Sequence, residues 1–246
     1  MRELVKRLLP EAMVAWIRGH RLRHGRDFAR LMFSQEGEDG ILARMFEMQK
    51  TGFYVDVGAH HPARFSNTYY FYMRGWHGIN VEPNPDLAAL FHRLRPRDTT
   101  VQAAVSDIEG QRTYFLFDDP ALNTFDEQTA RQRAAHSKYR IVGRIELPLR
   151  RLDKILDELL PGGAPIDFLS IDVEGLDTAV VRSLDWTRYR PRVVLVELPL
   201  ESLQGALNGE CNKLMSAAGY VAFAKTVNTV FFVEQTALKE LGLVKQ

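Results

Sequence analysis

From Phe53 onward, short apolar runs alternate with amphipathic stretches, the pattern of strands and helices taking turns in a layered α/β domain. The pattern predicts strands at Phe53–Val57, Gly78–Val81 and Thr100–Val105, with helices at Thr68–Arg74 and Asp86–Leu94 between them. Arg112–Phe117 reads as an added strand, and a long polar segment then runs to about Arg144. Glu146–Leu149, a helix at Leu152–Leu160, a strand at Asp167–Ile171 and a helix at Asp177–Leu184 follow. The run Val193–Glu197 has no polar alternation, as expected of a parallel strand covered on both faces. After a helix at Leu203–Ala218 stopped by Gly219, the β-rich runs Tyr220–Lys225 and Thr229–Glu234 are joined only by Thr226, Val227 and Asn228. So short a link allows only an antiparallel hairpin. A mostly parallel α/β sheet that closes with a C-terminal antiparallel hairpin is the expected fold class.

The first thirty residues follow a different rule. Leu4, Val5, Leu8, Leu9, Ala12, Met13, Trp16 and Ile17 recur at helical spacing, interrupted by Pro10, and eight basic residues stand against three acidic ones. Residues 1–33 therefore read as a basic amphipathic arm and residues 34–246 as the main domain. The arm's apolar stripe can pack on the domain, or its basic face can rest peripherally on an anionic membrane surface or a partner. Phe28–Phe46 reads as a helix covering one end of the sheet.

Composition narrows the function. The 46% hydrophobic content supports a true core, and the formal net charge of +1 gives no global pull toward nucleic acid. The single Cys211 cannot form an internal disulfide, and Cys and His show no metal-site spacing. Ala12–Ile17 is too short for a signal core, and no apolar run approaches the roughly 18 residues that span a bilayer. The expectation is a cytoplasmic protein, at most peripheral at the inner membrane face.

Three acidic strand ends carry the chemistry. Phe53-Tyr54-Val55-Asp56-Val57-Gly58-Ala59-His60 places a carboxylate and a glycine turn where open α/β sheets bind ligands. The glycine lets backbone approach a ligand closely, and a carboxylate there suits a cationic amine better than a pyrophosphate. Asp56 could instead cap the turn that follows it. About 25 residues on, the second strand ends in Glu82-Pro83-Asn84-Pro85, and Glu82 is the natural acceptor for two ribose hydroxyls. The third strand end, Ser170-Ile171-Asp172-Val173-Glu174-Gly175, offers two more carboxylates to orient an acceptor or take its proton. Asp172 and Glu174 would equally suit a helix start.

In order and spacing, these pieces resemble the FkbM family of S-adenosylmethionine-dependent methyltransferases across about residues 34–200. The resemblance lies in Ser34-Gln35 with Glu38-Asp39, Tyr54 to Ala59, Gly75-Trp76 through Gly78-Ile79, and Glu82-Pro83-Asn84-Pro85. It continues in Ala104-Val105-Ser106, Asn123-Thr124-Phe125, Leu152-Asp153 and Asp172-Val173-Glu174-Gly175. It implies a class I methyltransferase sheet, Rossmann-like, with S-adenosylmethionine bound across the strand tips. Asp56, Gly58 and Ala59 would lie near its methionine part, Glu82 on the ribose, and Ala104, Val105 and Ser106 at the adenine. Asp172 would face the sulfonium and acceptor. His60 and Pro62 stand where related folds often carry further glycines, and Pro62 has no N–H to donate.

Methyl transfer needs alignment of donor and nucleophile, and a hydroxyl nucleophile must also lose a proton. Glu174 or His60 is the candidate base, with Asp172 positioning the site; a loop or acceptor role for His60-His61 is the alternative. Asp172, Glu174 and Glu197 could also offer oxygens to Mg²⁺, but acids at this spacing are too common to argue a metal. The segment Asp118–Arg144 suggests a lid or acceptor-binding loop, or a solvated helix at Gln128–Ala135, and its Arg131, Arg133, Lys138, Arg140 and Arg144 would suit an anionic acceptor. The resemblance alone gives the acceptor as a hydroxyl of a sugar, glycan precursor or secondary metabolite. An NAD(P)-dependent oxidoreductase is the alternative, but Gly58-Ala59-His60-His61-Pro62-Ala63 does not supply Gly-x-Gly-x-x-Gly. A non-catalytic membrane- or partner-binding module is the other.

Overall fold

The computed structural model describes residues 30–173, 175–199 and 201–244. The expectations for the arm over residues 1–29 and for Glu174 lie outside them. In chain order the elements are α1 (Glu38–Met45), β1 (Phe53–Val57), α2 (Tyr69–Met73), β2 (His77–Val81), α3 (Pro85–Leu94), β3 (Thr99–Val101) and β4 (Ala104–Val105). Then come β5 (Gly110–Phe117), α4 (Glu127–His136), β6 (Ile141–Arg150), α5 (Leu152–Leu159), β7 (Phe168–Ile171) and α6 (Asp177–Arg182). The chain closes with β8 (Val193–Glu197), α7 (Leu203–Asn208), α8 (Glu210–Ala217), β9 (Tyr220–Lys225), β10 (Thr229–Glu234) and α9 (Ala237–Glu240).

Seven strands form one sheet in the order β3-β2-β1-β7-β8-β10-β9. Neighbours from β3 through β8 are parallel, while β10 runs antiparallel to both β8 and β9. This is the class I methyltransferase sheet, with the terminal hairpin where its three-residue link requires it.

Strand periodicity splits the core into two layers. Val55, Val57, Ile79, Val81, Leu169 and Ile171 face α5, α6 and α8 through Leu152, Ile155, Val180 and Met215. Tyr54, Phe168, Val193, Leu195, Phe231 and Val233 face the other way, against Leu42 and Met45 of α1, Phe71 and Trp76. The unbroken run in β8 is thus divided: Val194 and Val196 enter one layer, Val193 and Leu195 the other.

Several predicted boundaries shift, each for a physical reason. Thr100–Val105 is two strands in two sheets. The ladder with β2 ends where the Glu82 N–H meets the Val101 carbonyl at 3.0 Å, and Pro83 has no N–H with which to continue it. The chain then leaves the sheet, and Ala104–Val105 pairs with β6 in a second sheet of order β4-β6-β5. β6 is longer than Glu146–Leu149 because its first half is a half-exposed antiparallel partner of β5 with no apolar run to announce it. The Leu203–Ala218 helix breaks at Gly209, whose backbone is extended. Within Phe28–Phe46, the described helix is Glu38–Met45, opened by Gly37 at φ +87°. The polar segment after β5 folds into a 3₁₀ turn at Pro120–Leu122 and α4, which Asp126 caps by accepting the Thr129 N–H at 2.6 Å. No helix among the described residues is long and apolar enough to cross a membrane.

Candidate active site

A cavity opens at the carboxyl ends of β1, β2 and β7, and the first turn explains its shape. β1 ends at Val57, and the next two N–H groups, of Gly58 and Ala59, both reach the Val81 carbonyl, at 2.9 and 3.2 Å. Gly58 has φ +82°, and a Cβ there would sit 1.7 Å from the Asp172 carbonyl oxygen, so only glycine lets the β1 and β7 ends meet. His60 also lies in the left-handed region, at φ +51°, which favours glycine. Its N–H is aimed at Glu82 Oε2, 2.7 Å away. His61 shapes the loop: its Nδ1 accepts the N–H groups of Ala63 and Arg64 at 3.0 and 2.9 Å. Pro62, which cannot donate, offers its carbonyl to Arg95 at 3.3 Å.

Glu82 is 3% exposed. Besides His60, it accepts the Asn84 N–H at 2.7 Å, while Asn84 caps α3 through Asp86 at 2.9 Å. Burial pushes its carboxyl up to about 8, against the pull of the two N–H donors and with added repulsion from Asp56. Asp56 lines the same cavity and is also raised by burial, with Arg95 opposing. Its Oδ2 accepts the Thr68 hydroxyl at 2.9 Å, and Ser170 bonds it from β7. Asp56 is thereby wired into a buried network. Arg95, fully buried, pairs with Asp98 at 2.7 Å and donates to the Tyr54 hydroxyl at 2.7 Å and Thr68 Oγ1 at 3.0 Å. The Tyr54 hydroxyl in turn donates to Asp98 at 2.8 Å.

Asp172 follows β7, its N–H on the Val57 carbonyl at 3.0 Å. Its carboxylate lies near those of Asp177 and Glu197, with one oxygen of each within 4.8 Å of the others. Asp177 accepts the Val173 and Gly175 N–H groups at 2.9 and 3.1 Å, and burial beside Glu197 pushes it up to about 7. His60 is held neutral, lowered to about 4 by burial and by Arg64.

Of the residues expected from sequence, Asp56, Gly58, Ala59, His60, Glu82, Ala104, Val105 and Asp172 all line this one cavity. Ser106 is buried, with its N–H on the Arg150 carbonyl at 3.0 Å, and does not line it. Glu174 is outside the described residues. The cavity also takes walls that strand-end reasoning passed over. The second sheet contributes Tyr114 and the segment after β5 contributes Asn123 and Phe125, and an ion pair between Arg64 and Asp119 at 3.6 Å joins that segment to the loop after β1. From the N-terminal side come Gln35, Glu36 and Glu38. Glu36 takes both N–H groups of Asn228, backbone at 2.8 Å and side chain at 2.6 Å, and Asp39 takes the Phe33 N–H and Ser34 hydroxyl, each at 2.7 Å. The Ser34 to Asp39 motif thus ties this segment to the terminal hairpin.

No curated protein sequence matches this chain. Solved structures that are similar include a TehB-like S-adenosylmethionine-dependent methyltransferase from Corynebacterium glutamicum, 10% identical, covering 91% of this chain and 100% of that one at TM-score 0.40. An O-methyltransferase from Bacillus cereus in complex with S-adenosylhomocysteine is 12% identical, covering 92% of each chain at TM-score 0.40. Human methyltransferase-like protein 13 in complex with S-adenosylhomocysteine is 10% identical, covering 86% of this chain and 94% of that one at TM-score 0.41. A family model described as the methyltransferase FkbM domain matches residues 56–222, from the acid of β1 into β9 and well over half of the sequence. The chain belongs to the FkbM family of S-adenosylmethionine-dependent methyltransferases.

Proposed function

We propose that this protein methylates a hydroxyl of an uncharged sugar, glycan precursor or secondary metabolite in the cytoplasm. The observation that carries the reading is the single cavity into which Asp56, Glu82 and Asp172 open from three strand ends. Its donor set fits the methyl donor. A nucleoside with two ribose hydroxyls, an ammonium and a sulfonium brings hydrogen-bond donors and positive charge, and these strand ends supply acceptors and carboxylates.

S-adenosylmethionine supplies a methyl group already activated by positive sulfur. Glu82 holds the ribose hydroxyls, using the acceptor capacity left over from its two N–H donors. Gly58 and Ala59 bring backbone close to the methionine part. Asp172 orients the acceptor hydroxyl. With a pKa lowered to about 4, His60 stays neutral and is a weak base, so proton removal falls to Glu174, and the imidazole serves as a hydrogen-bonding group.

The acceptor's charge follows from the walls. Among the described residues lining the cavity there is no Lys or Arg, whereas Glu36, Glu38, Asp56, Glu82, Asp172 and Glu197 all contribute. Two of the basic residues of the segment after β5 have other partners: Arg131 pairs with Glu127 at 2.6 Å, and Arg133 donates to the Leu122 carbonyl at 2.8 Å. An uncharged polyol suits these walls better than a phosphorylated acceptor.

Calorimetry with S-adenosylhomocysteine and NAD on wild type, Asp56→Ala and Glu82→Ala tests the reading. S-adenosylhomocysteine should bind wild type and weaken in both variants, and NAD should not bind. Tight NAD binding without S-adenosylhomocysteine binding would reverse it.

A further inference from the structure

We propose that Asn123 reads the adenine of the bound nucleoside, one N–H of its carboxamide donating to a ring nitrogen of the base. The assignment rests on the nucleoside reading of the cavity. Asn123 is 3% exposed and lines the cavity. Its Oδ1 accepts the Phe117 N–H at 2.8 Å. A backbone N–H can only donate, so this bond fixes which end of the amide is oxygen and turns Nδ2 away from β5. Nδ2 is buried without a hydrogen-bond partner. Buried donors are almost always satisfied, so an orphan on a cavity wall points to an acceptor brought by a ligand.

The backbone holds the amide firmly. Thr124 exchanges both hydrogen bonds with Phe115, at 2.9 and 3.2 Å, which pins the segment to β5. The cavity wall that Asn123 shares also carries apolar side chains. The Tyr114 and Phe125 rings lie 4.4 Å apart, packed with Ala104, and Pro83 and Ala103 line the same cavity. A purine needs apolar contacts for its faces and a donor at its edge, and Nδ2 is such a donor. Pro83 directly follows Glu82, so a base held there leaves its ribose beside the carboxylate.

The test is calorimetry with S-adenosylhomocysteine and its 1-deaza, 3-deaza and 7-deaza analogues, on wild type and Asn123→Asp. The variant keeps an oxygen for the Phe117 N–H and replaces only the unpartnered donor by an acceptor. One of the three analogues should bind wild type about tenfold more weakly than the parent. Asn123→Asp should weaken the parent by at least about tenfold and no longer distinguish that analogue. The analogue series on wild type needs no variant to fold. Equal binding of all three analogues to wild type would overturn the assignment, as would undiminished binding of the parent to a folded Asn123→Asp. If wild type binds no S-adenosylhomocysteine at all, the nucleoside reading falls first and takes this assignment with it.

Discussion

Binding of 5′-deoxy-5′-methylthioadenosine should tighten about tenfold between about pH 7 and pH 9, because Glu82 must ionise to accept the ribose hydroxyls. Burial pushes this carboxyl up to about 8, with Asp56 adding repulsion, so near neutrality most unliganded molecules carry it protonated. About one molecule in ten is then ionised at pH 7, a cost of about 1.4 kcal/mol that vanishes above the folded value. Ligand hydroxyls favour the charged form, so binding at pH 7 should release nearly one proton. The thioadenosine is the right probe because the α-amino group of the full product titrates near 8 and would overlay the signal. Calorimetry in buffers of different ionisation enthalpy reads both affinity and proton count. The sign for the free protein is the reverse. A carboxyl raised on folding contributes stability that is complete below its unfolded value of about 4.5 and is lost as the pH rises through about 8. Glu82→Gln should bind weakly and without pH dependence. Its amide nitrogen would face the N–H of His60 or Asn84, leaving a buried donor unmet at about 1–3 kcal/mol, so a thermal melt must accompany it. A wild-type affinity flat from pH 7 to 9, with no buffer-dependent enthalpy, would refute the assignment of the ribose to Glu82.

Gly58→Ala should abolish S-adenosylhomocysteine binding and lower the melting temperature, since the new Cβ meets the Asp172 carbonyl at 1.7 Å and φ is +82°. Arg95→Met should destabilise by about 3–5 kcal/mol in urea melts, because it strands the buried Asp98 carboxylate; a loss under 1 kcal/mol would show that the network around Asp56 has no such centre. Turnover should survive excess EDTA, since Asp177 spends both oxygens on backbone N–H groups; inactivation reversed by Mg²⁺ would show that the three-acid cluster binds metal. Deleting residues 1–30 should abolish flotation with anionic liposomes while leaving S-adenosylhomocysteine binding intact, and unchanged flotation would remove the arm as a membrane contact.

The sequence announced what local physics controls. An apolar run ending in an acid and a glycine or proline marks a strand tip, and for this reason Asp56, Glu82 and Asp172 were found and converge on one cavity. A link of three residues between β9 and β10 leaves only one geometry, so the hairpin was legible to the residue. Where partners decide, local pattern failed. Val101, Ala103 and Val105 alternate like one strand, and only the end of β2 at Val81 divides them. Ser106 continues that run in sequence, yet it turns its N–H to β6 instead of the cavity. Asn123 lies in a polar stretch that reads as solvated, and nothing local shows that its oxygen is held by Phe117.

Arg95 is the clearest case, and it changes how the site's charge is to be understood. Flanked by Leu94 and Pro96 at a helix end, it looks like a surface residue, yet it is wholly enclosed by Tyr54, Tyr72 and Phe91 and linked through Thr68 to Asp56. An acid tied to a hydroxyl and within the field of a buried guanidinium is partly neutralised before any ligand arrives. Burial raises both carboxyls, but Glu82 has only neutral N–H donors and no cation to oppose the rise as Arg95 does at Asp56. Two carboxylates that look equivalent in sequence therefore differ in their surroundings. Asp56 is wired through Thr68 to a buried cation and braces the loop after β1, and Glu82 faces only neutral donors and is an acid whose ionisation a nucleoside can drive. The Glu82→Gln variant separates the two: proton release that arises at Glu82 disappears with the carboxyl, whereas release that arises at Asp56 persists in the variant.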